Sequence, residues 1–463
     1  MWRWGAIRLR NDAPVPRKRH EGRGFAVMLR SSIAVLGVAM VLAACEKEVH
    51  LEGERLDPRA VLEGAAPSAP AGNESRPVSL PRLQGNADWP QRAGSARHDL
   101  VNAALGNAQT LVWSAPVGQG QSQRYRIAAA PVAAGGRIFT LDSRARLTAT
   151  GTNGATLWAT DVVRPGDRDD DATGAGLAVE GGRVFVTTGF AELVALEAAT
   201  GKVIWRQDFD AGVGGAPVVA EGVVYALARD GSAWAIDAQD GKVIWQVAGT
   251  PAAAGVSGVS APAIAGKFVI FPFATGQMLA VERATGLPVW RAQVAGGRPG
   301  RGYAIVSDLT GDPVVMGDTV YAGSSAGKLG AFDALTGETR WTADEGAVSP
   351  VQVAGNAVFL ISDQAQLVRL DAATGATVWK QDLPYYVKDK IKKQQEIHVN
   401  LGPVLAGNRL FVVSSDGLVR SFDPASGALL GQADLPGGAA TDAIVAGQTL
   451  YVVSRKGQLL AFR

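Results

Sequence analysis

The chain has 463 residues, enough for two or three ordinary domains or one large repeat array, with 57 glycines, only 19% charged residues and a formal net charge of +2. The first 44 residues hold eight Lys/Arg against two acids, so without that surplus of six the remainder stands near −4, which argues against a basic nucleic-acid binder. A single cysteine excludes an internal disulfide and a Cys-rich metal site, and His20, His50, His98 and His398 lie too far apart for metal-ligand spacing; neither a metal nor a cofactor is expected.

Residues 1–27 are basic and contain proline, unlike a usual signal start, so Met28 is an alternative initiator. Ile33 to Ala44 is a twelve-residue apolar run behind Arg30. A spanning helix needs about 20 such residues, so this run fits the core of a secretory signal instead. It ends in Leu42-Ala43-Ala44-Cys45, which resembles a bacterial lipobox. That resemblance implies cleavage before Cys45, acylation of its sulfur and new amine, and stable membrane anchoring, because several acyl chains are then buried together. Residue 46 is Glu rather than the Asp of many lipoproteins held at the inner membrane, which implies sorting to the outer membrane.

From about Glu46 to Gly85 the chain is rich in Pro, Ala, Gly and Glu and poor in aromatic residues. Such a composition buries too little apolar surface to offset its ordering entropy, so a tether is expected. The expected organisation is a signal segment over 1–44, a lipidated and mostly flexible N-terminus over 45–105, and a folded body over 106–463.

The body is a repeat. An acid, a glycine four residues on and a tryptophan eight residues on recur as Glu197–Gly201–Trp205, Asp237–Gly241–Trp245, Glu282–Gly286–Trp290, Asp333–Gly337–Trp341 and Asp371–Gly375–Trp379. Thr150–Gly154–Trp158 keeps the frame without the acid, and Asp423–Gly427 keeps acid and glycine but has Gly431 where tryptophan belongs. Around each core lie four short β-type runs separated by turn residues, clearest from Pro217 to Val247. Four antiparallel strands in roughly 40 to 50 residues make a propeller blade, and the tryptophan is placed to cover the gap to a neighbouring blade. Trp113 stands in a lone strand with no blade before it, while Leu450–Ser454 and Gln458–Phe462 lack a final strand. Joining the two ends closes the ring. The fold class is therefore all-β, an eight-bladed propeller of four-stranded antiparallel blades closed by an N-terminal strand, with Trp113, Trp158, Trp205, Trp245, Trp290, Trp341 and Trp379 as blade-docking residues. Seven blades, with the Gly431 unit degenerate, is the alternative count.

The repeat resembles the quinoprotein-type propeller unit over about residues 86–463. Two branches share it: the PQQ-dependent alcohol and glucose dehydrogenases, and the BamB lipoproteins of the outer-membrane β-barrel assembly (Bam) machine. The lipobox, a propeller without long insertions, the lack of a second cysteine for a vicinal disulfide, and residues 46–57 and Gly302 to Pro313 favour the second branch, in its alphaproteobacterial form. That resemblance implies a non-catalytic scaffold without cofactor on the periplasmic face of the outer membrane, bound to the barrel-forming subunit BamA and the other Bam lipoproteins, with unfolded barrel precursors as further partners. A periplasmic PQQ dehydrogenase or PQQ-binding sensor is the alternative. By the same resemblance the BamA-contacting segments are Ala254–Val259 and Val306–Asp312, so that Ala254, Val256, Ser257, Val259, Asp308 and Asp312 form the expected docking patch. Ser257 lies near the place where the family's better-known members carry an arginine. Asx-turn capping is the bland alternative for Asp308 and Asp312. Finally, the segment after Trp379 is about a dozen residues longer than its equivalents and pairs Tyr385 and Tyr386 with Lys388, Lys390, Lys392 and Lys393. It is either a basic, aromatic arm for an acidic partner or lipid headgroups, or a solvated loop.

Overall fold

The computed structural model describes residues 73–99, 102–169, 172–250, 260–298, 300, 308–388 and 390–463. Cys45 and the expected signal lie outside them. Each repeat folds as a four-stranded antiparallel sheet whose strands follow chain order from the ring axis outward. Blades 1 to 7 span 132–161, 174–208, 218–248, 263–293, 309–343, 352–382 and 400–434. Blade 8 takes three strands from 444–462 and its outermost strand, Leu111–Pro116, from the other end of the body. Trp113 pairs with Ala461 and Leu111 with Phe462, and Thr110 and Arg463 exchange backbone hydrogen bonds at 3.0 and 3.1 Å. This closure settles the count at eight and leaves no blade face uncovered between first and last blades.

The burial pattern follows from stacking. In blade 1 the third strand, Arg146–Gly151, is buried after its first residue, whereas the outermost strand, Thr156–Asp161, is exposed at alternate positions. Inner strands are sandwiched between two neighbouring blades, so both of their faces must be apolar; the outer strand reaches the rim. The cores lie between blades. Phe139 and Leu147 of blade 1, for instance, pack against Val184 and Val194 of blade 2.

The acid–glycine–tryptophan frame has a local and a tertiary half. Locally, the acid caps the turn between third and fourth strands: Asp333 accepts N–H bonds from Leu335 and Thr336 at 2.9 and 3.0 Å, and Asp371 does the same for Ala373 and Thr374. The glycine closes that turn in the left-handed region, at φ +79° for Gly241. The tertiary half joins blades. A Cβ on Gly241 would lie 2.8 Å from the ring of Trp205 in the preceding blade, and one on Gly286 would lie 2.8 Å from that of Trp245. Six of the seven indoles, all but that of Trp379, also donate to a carbonyl of the same turn, as Trp205 Nε1 does to Ala238 O at 3.2 Å and Trp245 Nε1 to Arg283 O at 2.9 Å. All seven expected tryptophans make the ring contact to the next blade's glycine.

This also explains Gly431. The blade after it is the composite one, in which the corresponding turn is replaced by the paired but unconnected Arg463 and Thr110. With no glycine turn to cover, a tryptophan at 431 would have no seat; the Gln109 side chain fills that space.

One expectation is corrected. From Asn73 onward the stretch read as tether lies against the propeller as a strap, and Trp89, Ala103 and Ala108 belong to the core shared by blades 7, 8 and 1. Composition missed it because the strap gains its order from the ring's backbone groups rather than from a core of its own.

Candidate docking face and the plugged central channel

Alternate connections of an antiparallel blade fall on opposite faces of the ring. The turns between first and second and between third and fourth strands form one face, and the strap runs over it. The longer connections between blades, whose described residues include 117–131, 162–169, 209–217, 344–351, 383–388, 390–399 and 435–443, form the other face, and the described ends of those at 249–262 and 294–308 leave from it.

The strap touches all eight blades. Asn73 exchanges two hydrogen bonds with Lys380 on the rim of blade 6, and Arg76 N donates to Ala425 O of blade 7. Asn86 O accepts from Gly447 N of blade 8, Trp89 exchanges backbone bonds with Ala133 of blade 1, and Pro90 O accepts from Val179 N of blade 2. The buried Gln91 amide bonds both N–H and C=O of Val219 in blade 3, at 3.0 and 2.7 Å. Ala96 O and Arg97 O then accept from Ile264 of blade 4 and Val315 of blade 5. In blades 1 to 5 these partners are innermost strands, whose axis-facing edges have no sheet neighbour; the strap satisfies them.

At the centre the strap inserts Arg92. Its Nε donates to Asp312 Oδ2 of blade 5 at 2.5 Å, and Nη2 lies 3.7 Å from Asp442 Oδ2, next to blade 8. Each carboxylate has other support. Asp312 Oδ1 accepts from Ala261 N at 3.0 Å, and Asp442 Oδ1 accepts from Ser349 Oγ at 2.8 Å and Gly402 N at 3.0 Å. Burial works against the Arg92 charge, but the two carboxylates outweigh it and raise its pKa, so the guanidinium stays protonated. Burial pushes the Asp442 carboxyl up, against the pull of Arg92. Beside them His98 is fully buried, and burial lowers its pKa despite Asp312, leaving the ring neutral at pH 7. Nδ1 lies 2.8 Å from Pro313 O, a contact that only a protonated Nδ1 makes favourable.

The space left between the strap and blades 7 and 8, lined by Trp89, Arg92, Pro403 and Asp442, amounts to about 20 Å³. That holds a water molecule, against the several hundred Å³ of a site for a multi-ring organic ligand. Among the described residues no group of three or more His, Cys, Asp or Glu is placed to hold a metal ion. The arrangement offers a locked ring and a loop-rich face, a geometry for binding macromolecules.

The expected docking residues divide. Ala254, Val256, Ser257 and Val259, with Val306 and Ser307, lie outside the described residues. The feet of their two loops are tied together: Ser260 Oγ donates to Leu309 O, and Ala261 N to Asp312. Asp308 and Asp312, expected as an acidic rim, are instead 0% and 1% exposed. Asp312 is the counter-ion of Arg92 and an anchor for Ala261, so it is corrected from contact residue to internal bracket; Asp308 is likewise enclosed. Sequence reasoning missed Arg92 and Asp442. The one signal for the first was Trp89, a large aromatic side chain out of place in a solvated tether.

Comparison with known proteins agrees with this architecture. A family model described as "Outer membrane protein assembly factor BamB" matches residues 143–381 and 387–463. The chain is similar to the outer membrane protein assembly factor BamB of Yersinia pestis, 26% identical over 361 residues, covering 76% of this chain and 88% of that protein. It is similar to the Salmonella typhimurium BamB at 28% over 251 residues, covering 53% and 64% of the two chains. The solved structure of BamB from Moraxella catarrhalis superposes with a TM-score of 0.64 at 21% identity, over 77% of this chain and 99% of that one. The quinohemoprotein alcohol dehydrogenase of Comamonas testosteroni shares the fold, at a TM-score of 0.61 and 16% identity over 81% of this chain and 80% of its own.

Proposed function

The chain belongs to the BamB family of outer membrane protein assembly factors, and from that premise we propose that it is a non-catalytic scaffold of the Bam complex, docking the barrel-forming subunit on the face of inter-blade loops. In this reading Cys45 carries the lipid that holds the protein on the periplasmic face of the outer membrane. The other Bam lipoproteins and unfolded barrel precursors are its further partners. The segments Ala254–Val259 and Val306–Asp312 are the docking patch in this reading, with Val256 and Val259, flanked by Ala254 and Ser257, as its apolar centre; Asp308 and Asp312 are buried beneath it, and Asp312 ties its base to Ala261.

The observation that carries the scaffold reading over the dehydrogenase one is the strap. Arg92, paired with Asp312 and Asp442, sets a structural ion pair across the ring's axis, and the space beside it between the strap and blades 7 and 8 is only about 20 Å³. The test is affinity capture from detergent-solubilised envelopes with mass spectrometry, beside dye-linked oxidation assays with added PQQ and Ca²⁺. Recovery of the barrel-forming subunit without PQQ-dependent oxidation is expected. Oxidation that needs PQQ, with no such subunit recovered, would overturn the proposal.

A further inference from the structure

The connection between blades 6 and 7 differs from the others in build. Tyr386 bridges Ile397 in antiparallel fashion, Val387 N donates to Glu396 O at 3.0 Å, and His398 N donates to Tyr385 O at 2.7 Å. These rungs make a short hairpin that projects from the loop face and ends in a single 3₁₀ turn, Ile391–Lys393. Ile391 at its tip is 84% exposed, the most exposed large apolar side chain among the described residues. Lys388, Lys390, Lys392 and Lys393 are all exposed around it, against the acids Asp389 and Glu396 in sequence. Tyr385 and Tyr386 pack edge to face at its base, with ring centres 4.6 Å apart. An isoleucine thrust into water amid four ammonium groups has no stabilising role within the ring.

The second observation is where the strap begins. Glu74 N donates to Val378 O and Asn73 bonds Lys380, so the strap climbs the outermost strand of blade 6, Thr377–Asp382, toward the end from which the hairpin departs. The chain preceding Asn73 therefore joins the ring at the rim that carries the hairpin. Only 27 residues separate Cys45 from Asn73, and a chain of that length reaches at most about 100 Å when fully extended.

We infer that the 383–399 hairpin is a second membrane contact, seating its lysines on anionic phospholipid headgroups with Ile391 and Tyr386 at the headgroup–acyl boundary. The chemistry matches: ammonium groups meet phosphates, tyrosine suits the interface, and an exposed aliphatic tip gains by leaving water. Pairing a basic element with an acyl anchor is also what turns a leash into an orientation. The propeller would be held with blade 6 toward the bilayer, leaving the loops at 294–308 and 249–262, two and three gaps round the ring, for a protein partner. The inference rests on the anchor proposed above only for the hairpin's proximity to a bilayer.

The test uses the chain from Glu46 onward, without lipid, which contains every residue of the closed ring. Flotation with phosphatidylcholine vesicles, with and without phosphatidylglycerol, is expected to show binding that needs the anionic lipid and weakens with salt. Each lysine at an anionic surface is worth about fivefold in partition, so K388Q/K390Q/K392Q/K393Q is expected to lower it by more than tenfold. I391S, at unchanged charge, is expected to lower it several-fold. Melting curves equal to wild type will show that neither variant unfolds. Wild-type binding indifferent to phosphatidylglycerol, or undiminished in the quadruple variant, would overturn the inference. So would a photo-crosslinker at position 391 that captures an envelope protein and no lipid, which would reassign the hairpin to a protein partner. Because Cys45 is absent from the vesicle assay, a failure of the lipid anchor leaves its result unchanged and is read separately, from the mass of the mature protein.

Discussion

Arg92 of the strap and Asp312 of blade 5 are separated by 220 residues in sequence and 2.5 Å in space, and both are buried. The pair ties the strap to the ring's axis, and Asp442 extends the tie to blade 8. An ion pair so placed is a poor source of net stability, since desolvating the charges consumes most of their attraction, but breaking it is costly.

Replacing Arg92 by Met strands two buried carboxylates. A loss of about 3–5 kcal/mol is expected at neutral pH, measured as a fall in denaturation midpoint. The sign of its pH dependence follows from Asp442. Its carboxyl is raised in the folded protein, so ionising it works against folding above its folded-state pKa, and that cost vanishes as the pH falls below it. Without Arg92, which pulls it down, the Asp442 carboxyl rises further. The deficit of R92M relative to wild type should therefore shrink at mildly acidic pH; a constant deficit would mean that packing, not charge, holds the strap.

His98 supplies the opposite slope. Its pKa lies below the ordinary 6.5, so the unfolded chain takes up the proton first, and stability present above that pH is lost as the pH falls through the folded-state pKa. His98→Asn keeps a donor near Pro313 O but does not titrate. Its thermal midpoint should change less than wild type's as the pH is lowered from neutral.

Trp245 and Gly286 should be coupled. Trp245→Ala removes a buried indole and is expected to cost about 3–5 kcal/mol. Gly286→Ala puts a methyl 2.8 Å from that ring at φ +74°, so it brings both a clash and a left-handed strain of about 1–2 kcal/mol. In the double variant the clash is gone and only the strain remains. The double loss should fall short of the sum, and additive losses would show that the ring does not seat on the glycine.

For the docking proposal, Val256→Asp is expected to weaken capture of the barrel-forming subunit by more than tenfold, the scale of a central interface residue, with the melting temperature unchanged. Asp312→Asn should do the reverse, lowering the melting temperature. Wild-type capture by folded V256D would remove that loop from the interface.

Cys45→Ser should leave the signal uncleaved and the protein unacylated. A wild-type mature mass and outer-membrane partition in that variant would refute the anchor.

Eight blades, their closure by the Trp113 strand and the seven docking tryptophans were legible in sequence because their causes are local and recur. An acid caps its own turn, a glycine takes a left-handed φ, and an indole eight residues on finds the same seat in every blade. Gly431 was legible as a departure but not as a consequence, since its reason is the missing turn of a blade made from the C-terminal strands and the distant Leu111–Pro116 strand. The strap, the Arg92–Asp312–Asp442 pairing and the burial of Asp308 and Asp312 were decided by tertiary structure alone. Nothing periodic marks them: the strap is ordered by unpaired edges of strands far along the chain, and a carboxylate reads the same in sequence whether it caps a surface loop or faces a guanidinium on the axis of a closed ring.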